Sequence, residues 1–176
     1  ENAVIENCSK NIGVLAAINN GTIENCSVSN AVVNLNGNKT NAGLIVAQNN
    51  GVITYPSVAN SVITQTATGE FLLGSVAAIN TAVIEYSYSN EKTKMEVDAA
   101  NENVLIGGLV GLNEETGHVR FSFSKGEFKG YAVGGLVGTN KNYVYESYAD
   151  NTLTGKYVGG LAYSVSFGNG NELGSI

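Results

Sequence analysis

Few side chains in this sequence could do chemistry. It holds one histidine, His118, and two aspartates, Asp98 and Asp150. Arg120 is its one arginine, and Cys8 and Cys26 are its two cysteines. A zinc protease needs two histidines one helical turn apart with a glutamate base beside them, so no such centre can be assembled from these residues. Calcium-binding solenoids place an aspartate in every Gly-Gly-x-Gly-x-Asp repeat, which two aspartates exclude. No Gly-Lys-Ser/Thr exists for a phosphate-cradling loop. The Gly-Gly pairs therefore read as repeat punctuation. Paired carboxylates could cleave glycosidic bonds, and Glu24 and Glu85 hold equivalent repeat positions, but the copy between them carries Thr54. His118 takes the slot of Thr22, Val52, Val83 and Tyr143 in other copies, which makes it a solvated or edge residue. No catalytic, cofactor or metal residue is expected.

Aromatic placement is more informative. Tyr88, Phe123 and Tyr148 share one repeat position, and Tyr55, Tyr86 and Phe121 stand two residues earlier. On a solvated edge these six would form a stripe able to bind sugar rings or a protein partner. Facing inward, or under a loop, they would be core. Cys8 and Cys26 head matching segments, which predicts a small buried thiol ladder rather than a disulfide, because in-register parallel neighbours orient Cβ poorly for a bridge. Thr64, Thr66 and Thr68 alternate as an ice-binding face would, but in one copy only. Sequons at Asn7, Asn20, Asn25 and Asn38 read as asparagine-rich corners.

Charge narrows the partners. The 176 residues carry a formal charge of −6, and 14% of them are charged. No basic face is clustered enough to neutralise nucleic-acid phosphates or to seek an anionic membrane. The longest apolar run, 104–112, falls far short of the roughly 20 residues that span a bilayer. Twenty-two glycines, 24 asparagines and many β-branched residues point to strands and turns.

Such elements are ordered by a repeat. The segment 13–19 (Gly-Val-Leu-Ala-Ala-Ile-Asn) recurs at 43–49, 74–80, 107–113 and 134–140, with a decayed copy at 159–165. Its leading glycines lie 30, 31, 33, 27 and 25 residues apart. A second block follows at 21–27, 51–57, 82–88, 117–123 and 142–148, and a truncated one opens the chain at 5–9. The 18 residues from Cys8 to Cys26 suggest a minimal unit, with surface insertions between the second block and the next glycine. The mixed-sign stretch 91–102 is expected to be a solvated insertion loop. Short strand-like segments at a fixed period, each unit too small to bury a face alone, mean stacked coils. The prediction is a single-domain, all-β parallel β-solenoid of about six coils over residues 1–176, right-handed by the crossover rule. Period two assigns Leu15/Ala17/Asn19, Ile45/Ala47/Asn49, Val76/Ala78/Asn80, Leu109/Gly111/Asn113 and Leu136/Gly138/Asn140 to the interior. Each asparagine would close a strand at a corner and stack on its neighbours.

These blocks resemble the GLUG repeat family, whose Gly-Leu-apolar-Gly core appears as Gly108-Leu109-Val110-Gly111 and Gly135-Leu136-Val137-Gly138. The downstream Ser-Tyr portion matches at 84–89 and 144–149. Family members occur in large bacterial surface and secreted proteins, including IgA-specific metalloendopeptidases and adhesin-like proteins. The resemblance implies a non-catalytic, extracellular repeat module, and the lack of an initiator Met, with repeat-like text at both ends, leads to the expectation of a fragment excised from a longer protein. Host proteins, glycans or neighbouring domains of the same chain would be its partners. A carbohydrate-binding module using the aromatic stripe is the alternative, and a polysaccharide-cleaving β-helix the most remote.

Overall fold

The structure, a computed structural model, describes residues 3–8, 10–65 and 68–166. Thr66 of the threonine alternation lies outside them. No helix occurs among the described residues. Residues 62–89 show the plan of one turn. Val62–Gln65, Glu70–Gly74, Ala77–Asn80, Val83–Glu85 and Tyr88–Ser89 follow one another around sharp corners. Each strand lies parallel and in register on its counterparts in the adjoining turns. Gly43, Gly74 and Gly107 align, as do Asn49, Asn80 and Asn113. The stacked strands build four parallel sheets of nine, six, six and five strands. The chain is a parallel β-solenoid. The last strand of one turn and the first of the next share a side, and they fuse into single strands at Phe123–Lys129 and Tyr148–Thr154.

The repeat glycine is required by close approach. A Cβ on Gly43 or Gly107 would fall on the carbonyl oxygen of Val46 or Val110, three residues ahead in the same turn. The chain folds back on itself there too tightly for any side chain. The block's asparagines fill the next corner. Asn19, Asn49, Asn80, Asn113 and Asn140 are buried, and each Nδ2 donates to the next Oδ1 at 2.8, 2.9, 2.8 and 2.8 Å. The same amides donate to the carbonyls of Gly51, Ala82, Gly117 and Asn142. Main-chain groups stranded at a buried bend are thereby satisfied. The ladder ends where Val165 takes the asparagine position.

The period-two reading of the interior needs one correction. Ile45, Val76, Leu109 and Leu136 are fully buried in the core, but so are the interleaved Val46, Ala77 and Val110. Gly111 and Gly138 face a concave outer corner instead. A Cβ on Gly111 would lie 2.7 Å from Leu72 Cδ1, and one on Gly138 would lie 2.9 Å from Leu105 Cγ. Leu72 and Leu105 project opposite the buried Phe71, Leu73, Val104 and Ile106 of their own strands. The block starts on a corner, so strict alternation holds only beyond it.

The physical turn is the 25–33-residue glycine spacing, not 18 residues. Val4–Cys8 pairs with Val32–Leu35, so 5–8, though it copies the text of 23–26, pairs as the first strand of a turn and not as the fourth. The Cys8 main chain aligns with Leu35, while the carbonyl of Cys26 accepts from Ser57. The two main chains therefore lack the register that the expected thiol ladder requires, and the Cys8 side chain lies outside what is described. Cys26 is a free thiol whose Sγ donates to the Glu24 carbonyl at 3.3 Å. The stretches expected as insertions supply wall strands, among them Ser27–Ser29 and Val32–Leu35. Within the charged stretch 91–102, Lys94–Glu96 is a strand with Met95 buried in the core. Its flanking charges pair with the next turn, Lys94 with Glu127 at 2.7 Å and Glu96 with Lys129 at 3.1 Å. Three residues of alternation between turns carry too little pattern to stand out from a loop.

Candidate functional site

Four-residue and shorter strands need abrupt bends, and the bend after the fourth strand of each turn uses left-handed backbone. Asn25, Tyr55, Tyr86, Phe121 and Glu146 occupy it with φ of 52°, 53°, 51°, 51° and 48°. The neighbouring bend uses Asn30 and Asn60 at 55° and 51°. Asparagine tolerates this region, whereas a bulky ring there costs on the order of 1–2 kcal/mol. Tyr55, Tyr86 and Phe121 thus break the local rule. Stacking offsets part of the cost. Tyr55–Tyr86 and Tyr86–Phe121 are parallel at centroid distances of 4.8 and 5.0 Å, each contact worth on the order of 0.5–1.5 kcal/mol.

Beyond the bend, side chains alternate again. Ser87, Ser122 and Ser147 turn inward, and the hydroxyls of Ser122 and Ser147 accept from the amides of Ser87 and Ser122 at 3.0 and 3.1 Å. Tyr88, Phe123 and Tyr148 turn outward and stack at 5.3 and 5.0 Å. All six aromatic residues singled out from the sequence therefore come together, in two rows rather than one. They are surface, not core: Tyr55 and Tyr148 are 52% exposed and Tyr86 is 40% exposed.

Four residues that the sequence reading did not place there complete the edge. Tyr145 meets the Phe121 ring edge-on at 5.7 Å. Arg120 donates to Glu85 Oε2 at 2.6 Å and to the Tyr145 hydroxyl at 2.9 Å, and its guanidinium carbon lies 6.0 Å from the Phe121 centroid. The Tyr145 oxygen and the Glu85 carboxylate hold the Arg120 pKa above its ordinary value. His118 stacks on Tyr143 at 5.5 Å. The signal for Tyr143, Tyr145 and Arg120 was present, because residues two apart on one strand share a face.

Several chemistries find no footing. Glu24 and Glu85 both align with Thr54 and never meet, and Glu85 is engaged by Arg120. Among the described residues no group of three His, Cys, Asp or Glu could hold a metal ion. A hollow of about 440 Å³ opens between the second and third sides, lined by Leu72, Ile79, Leu105 and the Lys39–Glu70 pair. It is wide and shallow, and no titratable cluster converges on it. On the aromatic edge, residue types depart from what the left-handed bend favours. No protein-family model, curated protein or solved structure matches the chain, so the chemistry of this edge rests on its own geometry.

Proposed function

We propose that the chain is a non-catalytic structural and interaction module of a bacterial cell-surface or secreted protein. One observation carries this reading: a stack joined throughout by main-chain hydrogen bonds displays two solvated aromatic rows along a single edge. Continuous parallel ladders give a stiff rod that can space or present another domain, and the rows give it something to bind with. The resemblance to GLUG repeats supports the extracellular setting. Partners are a host protein or glycan, with neighbouring structure of the same parent chain against the end strands, where Leu15, Ile18 and Val158 are exposed. No cofactor enters the reading. Antibodies raised against the chain should label intact, unpermeabilised cells of the source organism or its culture medium. Signal confined to lysed cells would refute the setting.

The alternative is a carbohydrate-binding module. It draws on the solvent exposure of Tyr55, Tyr86, Tyr88, Phe121 and Tyr148, since exposed rings are the usual platform for sugars. A glycan array decides it: retained glycans must be released by Tyr88→Ala with Phe123→Ala at unchanged thermal stability.

A further inference from the structure

The reading of the chain as an interaction module leaves open what the aromatic edge binds. We propose that it docks an extended protein segment with an apolar centre and basic flanks. The proposal rests on that reading and sharpens it. Three independent features of the edge support it.

The first is backbone conformation. Where the left-handed bend alone decides the residue, the chain uses Asn25, Asn30 and Asn60. At 55, 86 and 121 it uses rings instead, in exposed positions that contribute nothing to the core. Strained residues of this kind concentrate where a surface is kept for contact.

The second is ring orientation. Tyr86 has Tyr55 against one face and Phe121 against the other, with planes within 10°. Phe123 is sandwiched in the same way by Tyr88 and Tyr148. A sugar ring needs an open aromatic face, and both faces of Tyr86 and of Phe123, the central ring of each row, are filled by their neighbours, while the end rings Tyr55, Tyr88 and Tyr148 stack on one face. What the middle of the edge turns outward is ring edges, which carry the positive end of the aromatic quadrupole, together with a phenol hydroxyl. Such a surface suits carbonyl oxygens and the faces of a partner's aromatic rings, both abundant on an extended peptide. Arg120 beside Tyr and Phe is also the composition enriched where proteins bind one another.

The third is charge. In the middle of the edge Arg120 is paired with Glu85, so the centre is neutral. Glu24 stands exposed beside one end of the corner row, and Glu146 occupies its other end. The four steps between these levels, at strand spacing, span about 19 Å, the reach of about six extended residues. A segment of that length, apolar in the middle and with a basic residue at each end, meets both acids at once.

Two six-residue peptides test this by fluorescence anisotropy: Val-Phe-Val-Phe flanked by lysines, and the same core flanked by glutamates. The intact chain should bind the lysine-flanked peptide at least tenfold more tightly. Glu24→Gln with Glu146→Gln should cut that preference below threefold. Tyr86→Asn with Phe121→Asn installs the residue the bend favours, so the fold should keep its melting temperature while peptide binding falls at least tenfold. Equal affinity for both peptides, or full binding by the asparagine variant, overturns the proposal. So does binding of β-linked oligosaccharides that the asparagine variant loses. Cell-surface labelling reads the parent hypothesis separately, so either can fail alone.

Discussion

Two residue types carry this fold for opposite reasons, glycine by lacking a side chain and asparagine by what its side chain bonds. At Gly107 a Cβ would collide with the Val110 carbonyl oxygen. At Gly160 it would meet nothing within 4 Å, although both belong to copies of the same block. Gly107→Ala should cost about 3 kcal/mol or more, because backbone must move to admit it. Gly160→Ala should stay within about 1 kcal/mol of wild type. Urea denaturation of the two variants checks the contrast, and equal losses would contradict the close approach at 107. Asn80 sits mid-ladder with its amide shared between Asn113 Oδ1 and the Ala82 carbonyl, and its oxygen accepts from Asn49. Asn80→Ala leaves those groups buried without partners, a loss of about 2–4 kcal/mol. A loss under about 1 kcal/mol in the same denaturation experiment would mean that the ladder is ornamental. The asparagine ladder was legible from the recurring block. The glycine's role was legible as tightness, but not the carbonyl that imposes it.

Between elements, the second and third strands of successive turns fit by size. A Cβ on Gly111 would meet Leu72 of the preceding turn first and the Ala78 and Leu73 carbonyl oxygens next, whereas at Gly138 the Gly111 carbonyl oxygen comes closer than Leu105. Gly111→Ala should destabilise by about 1–3 kcal/mol through overpacking, and Leu72→Ala should relieve part of that. A double-mutant cycle should then show coupling of at least about 0.5 kcal/mol. Strict additivity would mean that the two positions do not touch. Ion pairs between turns, such as Lys94–Glu127 and Lys129–Glu96, are solvated and geometrically simple. Each is worth about 0–1 kcal/mol, so packing and main-chain pairing set the register. The sequence reading put Gly111 inside because period two was counted from a corner, where the alternation of an uninterrupted strand does not apply.

Across the described residues, every strand pairs with residues about one turn away in sequence, and apart from the long Lys156–Glu102 ion pair the inter-turn hydrogen bonds and ion pairs join neighbouring turns. Stability in such a stack is a sum of nearest-neighbour terms. Among the described residues the outer turns pair on one side, and the N-terminal one leaves Leu15 and Ile18 46% and 47% exposed. Hydrogen exchange should therefore be fastest in Ala16–Asn19 and Ala162–Val165, and slowest in Val46–Asn49, Ala77–Asn80 and Val110–Asn113. Uniform protection from end to end would contradict a stack that opens from its ends.

By itself the sequence determined the fold class, the glycine at each fold-back and the asparagine column, because the glycine recurs in all six copies of the block and the asparagine in five. It also brought Tyr55, Tyr86, Tyr88, Phe121, Phe123 and Tyr148 onto one edge. Only the tertiary structure decided that these rings face water in two rows, that the central rings are stacked on both faces, and that the main chains of Cys8 and Cys26 are out of register. Those outcomes turn on how sharply each corner bends and on which strand of the adjoining turn a segment meets. A left-handed residue or an irregular pairing resets the inside–outside alternation, and neither leaves a mark in residue spacing.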